Sequence, residues 1–318
     1  MSASPPRAAV AAPVLPELTG FGRPRLRDDV PILWRDQTSI QFGDDVIVDR
    51  VGRSHVAWLT SLDGLRSPTE IEDDLTLPAV DARRLLRSLL HAGALEDAAR
   101  IPDAMRWAAA SDRESVSRRF GAALRAYRRL DAAYDAMAGR ERCRVAVLGD
   151  GPLADEARTA IEAAGLPQGD ADDATVTVLA DGLHPDVPAR FDHACLDRPH
   201  LPLATLGERA VAGPVVVPGL TGCLRCAHLH RRDGDPAWPL LSVQWAQALA
   251  GMASPPVDPL LTRLAATQAA LLVRAWADAP DDPADWGGFA WELALPDVQA
   301  RRVPRPAHPL CGCRWPAA

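Results

Sequence analysis

The sequence predicts a mixed α/β protein of two domains: a small α+β, winged-helix-like domain followed by a Rossmann-type α/β domain. Three observations predict this. Short alternating segments followed by amphipathic helices occupy residues 31–92, a strand, glycine turn and helix begin at Cys143, and two close cysteine pairs join distant parts of the second half. With 318 residues, 47% of them hydrophobic, the chain can fill two cores.

The opening stretch, MSASPPRAAVAAPVLPELTG, has scattered prolines and no continuous apolar run. It reads as a disordered tail over residues 1–22 of a cytoplasmic protein, not as a signal peptide or membrane anchor. From Pro31 the pattern alternates. Ile32 to Arg35, Thr38 to Phe42 and Val46 to Val51 read as three strands of a meander, with Gly43-Asp44-Asp45 as one turn. Three helices follow. Ser54 caps the first, which carries Val56, Leu59 and Leu62 and stops at Gly64; Ser67-Pro68-Thr69-Glu70 opens the second as a capping box with a first-turn proline. The third runs from about Ala79 to Ala92, with Leu85, Leu86, Leu89 and Leu90 as its apolar stripe and Gly93 as its stop.

The opposite face of this third helix carries Val80, Arg83, Arg84, Arg87 and His91. A solvated basic face, DNA contact and a peptide groove are the three readings. The net charge of −7 argues against nucleic acid as a partner, whereas an edge strand such as Val46 to Val51 can accept an extended peptide with the helix supplying pockets.

Residues 101–140, rich in Ala and Arg, read as a helical connector with Met105, Phe120, Leu124, Tyr127, Leu130 and Tyr134 as its apolar contacts. Residues 141–318 form the second domain. Arg144 to Leu148 is a strand, Gly149-Asp150-Gly151 a tight turn and Leu153 to Ala164 a helix, the pattern that opens a nucleotide-binding unit. Gly149 and Gly151 are its candidate phosphate-facing residues, read here as vestigial. The segment LPQGDADD, where a ribose-binding strand belongs, is short and polar, and the next strand, Thr175 to Ala180, ends at Asp181. All 35 basic residues are arginine, so no lysine is available for a nucleotide phosphate or a Schiff base.

A short segment around His200 to Leu206 and a strand from Ala212 to Val217 lead into Cys223-x-x-Cys226, which Cys311 and Cys313 complement after a long helix from Leu260 to Ala277. Four thiolates in two clusters are the inventory of a closed, structural Zn2+ site with no open position for a catalytic water. His228 and His230 are alternative ligands. Cys143, at the start of a strand, reads as core; Cys195, near His193, is the remaining thiol and is also read as structural.

Two resemblances extend this reading. The order RPRLRDDVPILWRD, SIQFG, DVIVDRV, a leucine-rich helix and LLRSLLHAGALED, over residues 23–97, resembles the peptide-recognition domain of gene clusters that make ribosomal, modified peptides. The resemblance implies that the leader of a precursor peptide pairs with Val46, Ile47, Val48 and Asp49 and lies against Arg83, Arg84, Leu86, Arg87 and Leu90. VAGPVVVPGLTGCLRCAHLHRRDGDPAWPLL and RRVPRPAHPLCGC, within residues 143–315, resemble the E1-like, ubiquitin-activating-type fold, and within it the cyclodehydratase partners of azoline-forming pathways. The fold expected is therefore a winged-helix-like leader-binding domain, residues 23–100, joined to a reduced E1-like domain with a structural zinc site. The function implied is capture of a leader and presentation of core Cys, Ser or Thr to a separate, ATP-using YcaO-type cyclodehydratase, with no catalysis and no ATP binding by this chain. An E1-like adenylyltransferase and a winged-helix DNA regulator are the alternatives. The Trp- and Pro-rich region 238–259 is expected at a homodimer contact or at the surface for that partner.

Overall fold

The computed structural model describes residues 13–100, 102–180, 198–250, 257–297 and 299–313. Packing divides the chain into two units, Met1–Met137 and Ala138–Ala318. The class is mixed α/β throughout. Among the described residues no helix is long and apolar enough to cross a membrane.

The first unit contains β1 (Pro24–Leu26), β2 (Ile32–Trp34), β3 (Ser39–Phe42), β4 (Val46–Asp49) and β5 (Leu95–Asp97). β2, β3 and β4 form an antiparallel meander with Ile40 opposite Val48, while β1 and β5 form a separate antiparallel pair. Helices α1 (Arg53–Thr60), α2 (Pro68–Asp73) and α3 (Ala79–His91) follow the meander. The expected capping box at α2 is present: Ser67 accepts from the Glu70 N–H, and the Glu70 carboxylate accepts from the Ser67 N–H at 2.7 Å. At α1 the cap is Gly52 rather than Ser54, and its N–H donates to His55 Nδ1 at 3.0 Å. On α3, Ala82, Leu85, Leu86 and Leu89 are buried on the helical i, i+3, i+4, i+7 period.

Two expectations for this unit need correction. Residues 13–22, read as tail, are packed: a single 3-10 turn, Pro16–Leu18, buries Leu15 and Leu18 in the core of α3 and the meander. Their main chain is held by distant carboxylates, the Leu15 N–H by Glu72 at 2.7 Å and the Gly22 and Arg23 N–H groups by Asp97 at 2.8 and 2.7 Å. The helical connector, read as a segment of its own between the domains, belongs to the first unit as far as Met137. It forms α4 (Asp103–Trp107), α5 (Arg113–Tyr127) and α6 (Leu130–Arg142), and Phe120, Leu124, Leu130 and Tyr134 complete the core of the first unit.

The second unit is a six-stranded sheet in the order β11-β10-β9-β8-β7-β6, built from β6 (Val145–Leu148), β7 (Val176–Leu179), β8 (His200–Leu206), β9 (Arg209–Ala212), β10 (Phe289–Ala294) and β11 (Arg301–Pro304). β6, β7 and β8 are parallel; β8 to β11 are antiparallel. Helix α7 (Pro152–Ala163) and helix α10 (Pro259–Asp278) pack together, and α10 crosses β8 and β9. Between them in sequence lie α8 (Leu224–Gly234) and α9 (Trp238–Ala250). The buried Arg140 guanidinium, at the end of α6, grips Asp278 at the end of α10 through two hydrogen bonds of 2.6 and 2.7 Å.

The strand expected over Ala212 to Val217 is not formed. β9 ends at Ala212, Pro214 has no N–H to donate, and Val215 and Val216 make only single bridges, to Gly287 and His200. Where the sequence reading found the ribose-binding strand missing, Gln168 makes one parallel bridge to Val145, at the outer edge of β6. Asp181, His193 and Cys195 lie outside the described residues.

Candidate functional site

Three places carry the residues singled out by the sequence. The first is a cavity of about 1060 Å³ between β4 and α3. Alternation along β4 buries Val46 and Val48 and turns Ile47, 49% exposed, and Asp49 outward. β4 is the last strand of its sheet, so its outer edge is unpaired among the described strands. Of the expected peptide contacts, Ile47, Val48, Asp49, Arg83, Arg84 and Arg87 line the cavity, together with Arg50, Val80 and Asp81. Val46, Leu86 and Leu90 do not. Val46 and Leu86 point into the core, and Leu90 packs against it, because the helical period that turns Arg83 and Arg87 outward turns Leu86 inward.

The arginines are not equivalent. Arg84 donates to the main-chain carbonyls of Asp49 and of Arg50, the latter at 3.2 Å, and so clasps the end of β4. Arg83 and Arg87 both donate to one oxygen of the buried Glu17, at 3.4 and 2.8 Å. The other carboxylate oxygen of Glu17 is buried with no hydrogen-bond partner. Sequence reasoning missed Glu17, because it assigned the segment to a tail. Its only local signal was the Leu15 and Leu18 pair around it.

The second place is the cysteine cluster. The Sγ atoms of Cys223, Cys226, Cys311 and Cys313 all lie within 4.8 Å of one another. Cys223 is 3.8 Å from Cys226 and 3.5 Å from Cys311, and Cys226 is 3.4 Å from Cys313. These separations exceed the ~2.05 Å of a disulfide. They match the edges of a tetrahedron of thiolates about a Zn2+ ion, which for Zn–S of about 2.3 Å are roughly 3.8 Å. Burial and mutual hydrogen bonding split the thiols: the Cys223 thiol and the His308 N–H donate to Cys226 and pull its pKa down to about 4, while burial pushes Cys311 up to about 11.

The two half-sites are brought together by local chemistry. Cys223 caps α8, with the Cys226 N–H donating back to its carbonyl at 2.9 Å. Beside it, a Cβ on Gly222 would sit 2.8 Å from the Arg305 carbonyl oxygen, so only glycine admits the second segment this close. In that segment, buried His308 bonds Asp233 of α8 through Nε2 at 2.8 Å and accepts the Leu310 N–H through Nδ1 at 3.1 Å. The alternative ligands are used elsewhere: His228 accepts from the Trp238 indole at 3.2 Å, and His230 meets the His308 ring edge-on. Cys143 is buried among apolar groups, which raises its pKa to about 12 and leaves it an inert core thiol.

The third place is the turn from β6 to α7. Gly149 and Gly151 have φ of +128° and +84°, as a tight strand-to-helix turn requires. Arg158 of α7 folds back and donates to the Gly149 carbonyl at 2.8 Å, so a side chain of the protein itself braces the loop.

No protein-family model and no curated protein sequence matches the chain. Solved structures do. The heterocyclase TruD superposes over 92% of this chain with a TM-score of 0.62 at 18% identity. This chain spans 42% of that one, less than half its length. E. coli MccB superposes over 92% of this chain and 96% of its own with a TM-score of 0.60 at 13% identity. The microcin biosynthetic enzyme MccB has also been solved in complex with N-formylated MccA, where the TM-score is 0.57. At these identities the shared property is the fold.

Proposed function

We propose that this chain captures the leader of a ribosomally made precursor peptide and presents the core of that peptide to a separate ATP-dependent YcaO-type cyclodehydratase for azoline formation. The groove between β4 and α3 carries the reading: a strand edge unpaired among the described strands, two exposed apolar side chains, Ile47 and Val80, and a row of arginines form one concave surface. An extended peptide that adds to β4 gains main-chain hydrogen bonds from the edge and side-chain selectivity from α3. Support also comes from the shared fold, since MccB is solved with MccA and a structural neighbour is a heterocyclase with substrate and cofactor. Residues 23–100 are the leader-binding region in this proposal. Cys223, Cys226, Cys311 and Cys313 hold a structural Zn2+ that contributes folding free energy and no chemistry. Tethering raises the effective concentration of the core at the partner's active site, so one recognition event serves several reactions.

Adenylation by the chain itself is the second reading, because MccB has been solved with ATP. Three observations weigh against it: the absence of lysine, the bracing of the glycine turn by Arg158 and the single bridge at the place of the ribose strand.

The test is fluorescence anisotropy with labelled leader peptides encoded beside the gene, with and without ATP. Saturable binding that ignores ATP is expected. In Ile47→Asp/Val80→Asp, affinity should fall at least about tenfold, roughly 1.4 kcal/mol. Zinc content and melting temperature should not change, since both side chains are exposed. Full binding by that variant would remove the groove from the reading, and ATP-dependent release of pyrophosphate by the isolated chain would replace it with adenylation.

A further inference from the structure

The charges along the β4–α3 groove are unevenly matched. Arg84 is committed to the main-chain carbonyls of Asp49 and Arg50 and to Asp81, whose carboxylate stands 3.4 Å away. Asp81 also lies 3.9 Å from His55. Asp49 and Arg50 are adjacent, exposed and opposite in sign. Those groups nearly cancel. Arg83 and Arg87, four residues apart on one face of α3, do not: two guanidinium groups share a single oxygen of a single carboxylate, that of Glu17.

Each of the two donates to Glu17 through Nε alone, so the terminal amino groups of both forks have no acceptor among the described residues. Glu17 is 8% exposed, whereas Arg83 is 41% and Arg87 64% exposed, which puts a buried anchor behind two reachable forks. Like charges at i, i+4 repel, and the Glu17 carboxylate offsets that repulsion while fixing both side chains. Glu17 is itself held, because Leu15 and Leu18 on either side of it are buried in the core. The three groups together carry one unmatched positive charge. It is fixed in the wall of the groove that also offers the edge of β4, unpaired among the described strands.

We propose that Glu17, Arg83 and Arg87 form a receptor for one carboxylate side chain of the leader, so that capture requires an acidic residue on the side of the bound peptide that faces α3. The requirement rests on the leader reading and narrows it. Arginine forks accept a carboxylate through parallel N–H bonds, and one such group brings the site to two charges of each sign. A phosphate, with about −1.5 to −2 at neutral pH, would overshoot that balance. The experiment titrates the full-length protein with the labelled leader peptides encoded beside the gene, each Asp and Glu of which is changed in turn to Asn or Gln. At one position the amide form is expected to bind about tenfold more weakly than the acid, a difference that shrinks as salt screens the charges. Removing the arginines alone would leave Glu17 buried without a cation, so the protein variant is Glu17→Gln/Arg83→Gln/Arg87→Gln, in which acid and amide peptides should bind alike. Arg87→Gln, which leaves Arg83 on Glu17, should narrow the difference to under about threefold and serves as the test where the triple variant does not fold. Glu17→Gln alone keeps an oxygen acceptor for both Nε atoms and removes the competing charge, so there the difference should widen. Equal weakening of both peptide forms in Glu17→Gln would make Glu17 a packing residue and overturn the proposal. So would a difference that persists undiminished in the arginine variants, which would put the carboxylate elsewhere. Leaders that bind, lose that binding in Ile47→Asp/Val80→Asp and yet tolerate every acid-to-amide change overturn the carboxylate receptor and leave the leader reading standing. Absence of binding by any leader overturns both.

Discussion

Cys226→Ala is expected to reduce bound zinc from one equivalent per chain to none and to remove the cooperative melting of residues 138–318, with the first unit still folded. A closed four-thiolate site couples metal binding to folding with free energies on the order of 10 kcal/mol in zinc-finger peptides at neutral pH. Here the ion would join segments 85 residues apart in sequence, Cys226 and Cys311, that otherwise share the contacts of His308 with Asp233 and the close approach at Gly222. Metal analysis by plasma mass spectrometry and a melting curve before and after chelation check it. A metal-free wild type that melts unchanged would show that the cluster is a set of reduced thiols and not a metal centre.

Asp278→Ala should cost about 3–5 kcal/mol of stability, as for other buried charges left without their partner. The side chains of Arg140 and Asp278 are 7% and 3% exposed, so the guanidinium left behind would be desolvated and lack its bidentate acceptor. The double variant Arg140→Leu/Asp278→Leu should recover most of that loss, because an apolar pair of similar volume removes the uncompensated charge as well as the attraction. Urea unfolding of the three proteins measures the coupling. Equal losses in the single and double variants would mean that the pair matters by shape alone.

The parts of this molecule legible in its sequence are those fixed by local or periodic chemistry. The meander of β2, β3 and β4 follows from alternation, α2 from the reciprocal bonds of Ser67 and Glu70, and the buried face of α3 from leucines at helical spacing. The four cysteines were legible as a set because thiolates in short pairs have few other uses. What escaped notice depends on partners far away in sequence. Leu15 and Leu18 pack into the core where Glu72 and Asp97, 57 to 75 residues away, hold the flanking main chain. The arginines of α3 looked like uniform peptide contacts, yet Arg84 is committed to the end of β4 and Arg83 and Arg87 to Glu17. The apolar run Val215-Val216-Val217 satisfies every strand preference and still makes only bridges, since propensity is silent about which neighbours are present.

Glu17 also bears on how fast a ligand can arrive at the β4–α3 groove. Its walls hold Arg50, Arg83, Arg84 and Arg87, offset by Asp49 and Asp81 and then by Glu17, which leaves a surplus of one positive charge where the arginines alone suggest four. So small a surplus gives little long-range attraction. Encounter should therefore proceed at the ordinary ~10⁵–10⁷ M⁻¹s⁻¹ of unsteered association, with residence time rather than arrival setting selectivity.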